Sequence, residues 1–116
     1  MKYFASLEEK ERSPFRSFFY EFQKGSWDEE TCVFHRADSI YIHDNMVFDL
    51  DLDPLITQAF PAFDSFGPTL ITPEAWAEFM RLACARGGEV AELAHEADAW
   101  AQETFEACGV FTILGI

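Results

Sequence analysis

Two amphipathic segments joined by a pair of glycines constrain the fold of the C-terminal third of the chain. Thr72 and Pro73 form a typical helix start, because threonine can cap the first turn and proline loses no hydrogen bond there. Apolar residues recur at helical spacing up to Gly87-Gly88, and again over residues 89–107. We therefore predict an antiparallel pair of helices, followed by a buried strand over residues 110–114.

A Phe-rich helix is predicted nearer the N-terminus, over residues 13–25. Ser13 and Pro14 form a second helix start of the same kind, and Gly25 would end this helix. Four phenylalanines then recur at helical spacing: Phe15, Phe18, Phe19 and Phe22. Residues 7–12 are expected to add an earlier helical turn.

The middle of the chain favours strands. Residues 31–36 and 39–43 are β-branched and aromatic with partial alternation, and residues 69–71 predict a further short strand. Residues 49–60 fit either a strand end or a short helix, and strand order stays open. The predicted fold class is α+β: an N-terminal helix, a small mainly antiparallel sheet, a C-terminal helix hairpin and a final buried strand, forming a single domain over residues 1–116.

Three phenylalanines stand at intervals of three between the middle and C-terminal segments. Phe60, Phe63 and Phe66 lie in one predicted loop. Such rings either fill the core or form a contact patch. We favour the core, because large aromatic side chains are mostly buried.

The chain is strongly acidic, and its charge is uneven. Its 116 residues include 21 acidic and 8 basic side chains, for a net charge of -13. Residues 37–116 hold 14 of the acids and 2 of the basic residues, so their net charge is 2 - 14 = -12. Nucleic acids and anionic membranes would be repelled, so the sequence favours a basic protein as the partner.

The sequence predicts a cytoplasmic protein without a membrane span. The N-terminus becomes charged at once and lacks the apolar stretch of a signal peptide. The longest uncharged runs have 10 residues, which is too short to cross a bilayer. Cys32, Cys84 and Cys108 are widely spaced, so we expect reduced thiols. We expect the last two to behave as small apolar residues in helices.

No local motif predicts a cofactor or a metal. Asp49, Asp51 and Asp53 resemble the opening of a calcium loop, but Pro54 and Phe60 stand where that loop needs Gly and Glu. In an extended segment the three carboxylates would share one face and form a negative ridge. Cys32 and His35 have a metal-like spacing, but the rest of a zinc site is missing from the pattern.

One part of the pattern resembles a known family. The strand ending in SIYIHDN, the aromatic loop leading into FGPTLITPEAWAEFMRLA, and the acidic helix closing on a final strand are similar to small bacterial immunity proteins. These proteins belong to polymorphic and contact-dependent growth-inhibition toxin systems. The resemblance implies a cytosolic, non-enzymatic protein that binds and neutralises a cognate toxin domain. Many such toxins are basic nucleases, against which carboxylates can take the place of phosphates.

For that function we place the partner-binding surface on acidic side chains with a few aromatic anchors. Asp44, Asp49, Asp51 and Asp53 are the first choice. A second acidic group lies on the last helix: Glu89, Glu92 and Glu96. Tyr41 and Phe66 are the candidate aromatic anchors, because buried aromatics often dominate binding energy.

Two other classes of function stay open. The first is a small ligand-binding domain or enzyme, with a pocket between sheet and helices and with Cys32, His35, His43 and Asp44 as candidate residues. The second is a structural adaptor or homo-oligomer that uses the Phe-rich N-terminal helix. The oligomeric state is not determined by the sequence.

Overall fold

A computed structural model describes residues 1–14 and 17–115. Its helices are α1 (Leu7–Arg12), α2 (Asp44–Asp49), α3 (Asp53–Ala59), α4 (Pro73–Arg86) and α5 (Gly88–Cys108). Its strands are β1 (Phe19–Lys24), β2 (Ile40–His43), β3 (Pro68–Ile71) and β4 (Phe111–Leu114). The α+β class is confirmed, with a short helix near the N-terminus, a helix hairpin and a final strand.

The four strands form one antiparallel sheet in the order β2-β1-β4-β3. Alternate side chains of a strand point to opposite faces, so Tyr20 and Phe22 share the face that packs on α4 and α5. The ring of Phe22 lies 5.4 Å from that of Phe111, and Trp76 of α4 lies 5.5 Å from Phe111. This aromatic layer is the centre of the core, where each ring is buried.

The predictions for the C-terminal third are confirmed. The Thr72 hydroxyl accepts a hydrogen bond from the Ala75 N–H and caps α4. Gly87, with φ of 72°, separates α4 from α5, and Gly109 ends α5 in the left-handed conformation with φ of 80°. These positions disfavour a side chain, which explains why glycine marks both boundaries.

The Phe-rich helix predicted over residues 13–25 is wrong. Residues 19–24 form β1, a central strand of the sheet, and Phe18 before it has a positive φ of 71°. Pairing with both β2 and β4 overrides the helical spacing of the phenylalanines. The predicted turn over residues 7–12 is confirmed as α1, with a capping box between Ser6 and Glu9. Phe15 lies outside the described residues.

The strand predicted over residues 31–36 is also wrong, and the choice left open for residues 49–60 is decided in favour of the short helix. Residues 31–36 belong to the connection between β1 and β2, where Cys32 and His35 have positive φ values of 47° and 59°. Residues 44–59 form α2 and α3, joined by a turn in which Asp51 has φ of 51°. The alternating negative ridge expected for an extended segment is therefore absent from this turn.

A buried carboxylate holds the β1–β2 connection over the second face of the sheet. Glu21 of β1 accepts hydrogen bonds from the His35 N–H at 2.8 Å and the Arg36 N–H at 3.0 Å. It also accepts the Ser39 hydroxyl at 2.8 Å. Burial alone would raise the pKa of Glu21, but the Arg36 and His35 N–H groups outweigh burial and leave the pKa below its ordinary value.

A second carboxylate fastens the N-terminal segment to the last helix. Glu96 of α5 accepts the backbone N–H groups of Tyr3 at 3.1 Å and Phe4 at 3.0 Å. Ala5 then exchanges two backbone hydrogen bonds with Tyr41 of β2, at 2.8 and 2.9 Å. The N-terminal segment thus covers the outer edge of β2.

Candidate binding surface at one end of the sheet

The antiparallel order brings four chain segments to the same end of the sheet. The chain enters β1 and β3 there and leaves β2 and β4 there, because neighbouring strands run in opposite directions. The Asp44 N–H donates to the Phe18 carbonyl at 2.9 Å, and the Gly115 N–H donates to the Gly67 carbonyl at 2.9 Å. Residues flanking all four strands therefore meet at this end.

The helix hairpin places further acidic residues at this end. Helix α4 starts after β3, packs on α3 and ends at Arg86 beside the turn between α2 and α3. There the Arg86 guanidinium donates to the carbonyl of Leu50 at 3.0 Å and of Asp51 at 2.5 Å. The turn between α2 and α3 and the start of α5 at Glu89 thus lie on the same side of the molecule.

Three phenylalanines at this end are exposed. Their exposed fractions are 61% for Phe18, 80% for Phe48 and 86% for Phe66. A single exposed apolar side chain is ordinary, whereas three at the same end of a sheet mark a candidate contact surface. We call this surface the aromatic end and define it by three phenylalanines and six acids: Phe18, Phe48, Phe66, Asp44, Asp49, Asp51, Asp53, Asp64 and Glu89.

A buried tyrosine links two segments of the aromatic end. The Tyr20 hydroxyl donates to Asp44 Oδ1 at 3.3 Å, and it also hydrogen-bonds the side chain of Ser65, next to Phe66. Burial, followed by the charge and hydrogen bond of Asp44, raises the pKa of Tyr20 to about 12. Tyr20 therefore stays neutral and orients Asp44 toward the loop that carries Phe66.

Some acids elsewhere on the surface have a basic partner, whereas others, such as Glu11, Glu30 and Glu106, have none among the described residues. Glu78 pairs with Arg81, Glu92 with Lys2 at 3.4 Å and Glu103 with Lys24 at 3.7 Å. Within residues 1–14 and 17–115, none of the six acids of the aromatic end pairs with a Lys or Arg side chain. Arg86 lies near them but donates to backbone carbonyls.

The structure brings most of the predicted binding residues together. Asp44, Asp49, Asp51, Asp53, Glu89 and Phe66 all lie at the aromatic end. Glu92 and Glu96 do not, because they bind the N-terminal segment: the Tyr3 hydroxyl donates to Glu92 at 2.6 Å. Their contacts stabilise the fold and leave them less available to a partner.

Tyr41 is wrongly placed among the surface anchors. Its side chain is 0% exposed, and its hydroxyl donates to the Arg36 carbonyl at 2.7 Å. The prediction failed because Tyr41 lies under the β1–β2 connection, and nothing in the sequence indicated that this connection covers β2.

Two exposed phenylalanines of the aromatic end were missed from the sequence. Phe18 was assigned to a helix that does not form, and Phe48 was assigned to no element. The exposure of Phe48 could have been predicted if DNMVFD had been interpreted as a helix. In that helix Val47 takes the buried position, so Phe48 faces solvent. The three phenylalanines expected in the core differ in burial: Phe60 is buried, Phe63 is partly buried and Phe66 is exposed.

The residues proposed for an enzyme pocket have separate structural partners. The His43 side chain accepts the Asn45 N–H at 3.0 Å and caps α2, and Asp44 binds Tyr20. Cys32 and His35 are exposed in the β1–β2 connection. A cavity of about 40 Å³ lies between sheet and helices, lined mostly by aromatic and aliphatic side chains. Typical small-molecule sites are roughly 300–1,000 Å³.

The cysteines are free thiols and are exposed, which corrects the expectation that Cys84 and Cys108 act as small apolar residues inside helices. Cys84 Sγ lies 3.6 Å from His95 Nε2 across the helix hairpin. Within the described residues, no group of three or more His, Cys, Asp or Glu side chains is arranged to hold a metal ion.

None of the described helices combines the length and the apolar character that a bilayer span requires.

Comparison of the chain with protein-family models, with curated protein sequences and with solved structures gave no match. The aromatic end combines exposed phenylalanines with carboxylates that have no Lys or Arg partner among the described residues, and a functional assignment rests on this feature.

Proposed function

We propose that this chain is an immunity-type protein that binds and neutralises a basic toxin domain through the aromatic end. The observation that carries the proposal is the meeting of three exposed phenylalanines with six carboxylates at one end of the sheet. The resemblance to bacterial immunity proteins supports the class of partner. In this proposal the chain is not an enzyme and acts in the cytoplasm.

The two kinds of side chain serve different parts of binding. Phenylalanines that enter pockets of a partner and lose water supply most of the affinity at a protein interface. Carboxylates that have no Lys or Arg partner among the described residues can form bidentate pairs with arginine and raise the association rate of a basic protein. A nuclease binds phosphates with such basic residues, so an acidic surface can occupy the same site.

The rigidity of the aromatic end also favours binding. Tyr20 links the start of α2 to the Phe66 loop, and Arg86 holds the α2–α3 turn through two carbonyls. A surface that is ordered before binding loses less conformational entropy when the complex forms.

The structure weakens the two other functions considered. The adaptor hypothesis depended on an exposed Phe-rich N-terminal helix, and that segment is the central strand β1. The ligand-binding hypothesis needs a roomy cavity with convergent polar groups, and the cavity beneath the sheet is small and mostly apolar.

Co-expression with the product of the gene immediately upstream tests the proposal. We expect a stoichiometric complex whose dissociation constant rises with salt. The double variant Phe48→Ser, Phe66→Ser should weaken it strongly, whereas Val33→Ser, which changes an exposed apolar side chain of the β1–β2 connection, should not. Equal effects of the two variants, or no complex at low salt, would contradict the proposal.

A further inference from the structure

The two edges of the sheet are treated differently by the rest of the chain. On the β2 edge, Ala5 and Tyr41 exchange both backbone hydrogen bonds, so the N-terminal segment occupies that edge. On the β3 edge, no described backbone group bonds to Leu70 from outside the sheet. An open strand edge is a row of unpaired donors and acceptors that another extended segment can join.

The hydrogen-bond register identifies which groups of β3 face outward. The Gly115 N–H donates to the Gly67 carbonyl, which makes Gly67 and Gly115 a hydrogen-bonded pair. Such pairs alternate along antiparallel strands, so Thr69 and Ile71 bond to β4, whereas Leu70 directs its N–H and its carbonyl away from β4.

The opposite side of β4 confirms this alternation independently. The Gly25 N–H donates to the Val110 carbonyl, so residues 110, 112 and 114 bond toward β1. Residues 111, 113 and 115 are then left to bond toward β3, as the register of Leu70 requires. Pro68 also directs its carbonyl outward, and it has no N–H to leave unpaired.

We propose that the outer edge of β3 binds an extended basic segment of the partner as a fifth strand, centred on Leu70. This inference rests on the proposed function and deepens it, because β3 follows directly on Phe66 of the aromatic end. Backbone bonds to Leu70 would supply affinity, while side chains on either face of the added strand would supply specificity.

The surroundings of this edge indicate the chemistry of that segment. A shallow groove of about 280 Å³ lies over the face of the sheet next to β3, between Leu70 and Thr112 on the strands and Ser26, Trp27 and Glu29 on the β1–β2 connection. Asp64 donates its N–H to the Thr69 hydroxyl, and Glu74 lies in the first turn of α4 just after β3. An apolar side chain in the groove, flanked by lysine or arginine, would match this pattern.

A second copy of this chain is a poorer occupant of the edge. Each copy carries a net charge of -13, so pairing two copies would bring like charges together. Pro68 and the four-residue length of β3 also disfavour pairing between identical edges.

Amide hydrogen exchange of the free protein tests the premise. We expect the Leu70 amide to exchange rapidly and the Thr69 and Ile71 amides slowly, since only the latter two bond to β4. Protection of Leu70 that rises with protein concentration would assign the edge to a second copy and overturn the proposal.

A short capped peptide of alternating lysine and valine serves as the probe. At a peptide concentration about ten times its dissociation constant, exchange of the Leu70 amide should slow by about tenfold. The same peptide with alternate amides N-methylated, which keeps the charge but cannot pair along one edge, should bind at least about tenfold more weakly. Equal binding of the two peptides would overturn the proposal.

A pair of variants gives a second test. Leu70→Pro removes the outward N–H without removing a bond to β4, and Leu70→Ala keeps that N–H. We expect peptide binding to be retained by Leu70→Ala and lost by Leu70→Pro. If Leu70→Pro does not fold, the comparison of the two peptides tests the edge inference without it. If Leu70→Pro binds the toxin domain as Leu70→Ala does, while Phe48→Ser, Phe66→Ser does not, the edge inference fails and the proposed function stands.

Discussion

Two groups of acidic residues in this chain have opposite roles. Glu21 and Glu96 turn toward the protein and accept backbone N–H groups, which fixes the β1–β2 connection and the N-terminal segment. The acids of the aromatic end lie in α2, α3 and the adjoining loops, where the described residues offer them no Lys or Arg partner. The same functional group thus stabilises the fold in one region and is available for binding in the other.

This comparison shows that net charge alone does not identify a binding surface. A buried carboxylate is tolerated when backbone donors satisfy its lone pairs, and its removal leaves those donors unpaired. An exposed carboxylate among others of the same sign is neutral or slightly unfavourable for stability. Variants of the two groups should therefore separate stability from binding.

The largest effect on stability is expected for Glu21→Gln. This change replaces a carboxylate that accepts from two backbone N–H groups and the Ser39 hydroxyl, so the free energy of unfolding should fall by about 2–4 kcal/mol. Urea unfolding measures it, and Glu30→Gln on the exposed β1–β2 connection is the control with the same change of charge. An equal stability for the two variants would contradict the structural role of Glu21.

The pH dependence of that effect has a definite sign. Because the folded state lowers the pKa of Glu21 below 4.5, its contribution is present above that pH and is lost as the pH falls through the folded value. The difference in stability between the wild type and Glu21→Gln should therefore shrink in acid. Unfolding free energies at a series of acidic pH values measure this, and a constant difference would rule it out.

A smaller decrease in the free energy of unfolding, roughly 1–2 kcal/mol, is expected for Glu96→Gln. This change weakens hydrogen bonds that come from the N-terminal segment and not from within the sheet. Hydrogen exchange should show faster exchange at Tyr3, Phe4 and Ala5, with the core unchanged. Glu103→Gln, which loses an exposed pair with Lys24, is the control and should change stability by less than about 0.5 kcal/mol. Unchanged exchange at the three amides would show that Glu96 does not hold the segment.

Tyr20 is expected to give a still smaller effect on stability, and the pH dependence of that effect appears only in alkali. Its pKa is raised from 10.0 to about 12, so its contribution is complete below the unfolded value and is lost as the pH rises between the two. Tyr20→Phe should therefore lose less stability across that range than the wild type. Tyr41, whose pKa is also raised by burial, keeps its contribution in both proteins. Parallel pH profiles would contradict the raised pKa of Tyr20.

The sequence predicted the C-terminal third of the fold because its signals are local. A threonine cap, a proline at the helix start and glycines at the boundaries act within a few residues. The N-terminal part depends on pairing of distant segments: β1 lies between β2 and β4, and Glu21 holds a connection 14 and 15 residues away. Phenylalanines at helical spacing gave no sign of that pairing.

The candidate site was predicted in part for the same reason. Acidic residues between Asp44 and Asp53 were identified from charge alone, although the extended ridge assumed for them is two helices and a turn. The sequence could not show that Tyr41 and Glu96 have partners inside the protein, because it does not show which segments cover them. Phe18 and Phe48 could be identified as candidate binding residues only from the arrangement of the strand ends.

The central claim, that the aromatic end is the partner-binding surface, is tested most directly by comparing two triple variants in complex with the upstream gene product. Asp49→Asn, Asp51→Asn, Asp53→Asn removes three charges from the aromatic end, and Asn suits the positive φ of Asp51. Glu11→Gln, Glu30→Gln, Glu106→Gln removes three exposed charges elsewhere. We predict that the first variant raises the dissociation constant by about tenfold without loss of stability, and that the second changes it by less than about threefold. Equal changes in the two variants would contradict the claim.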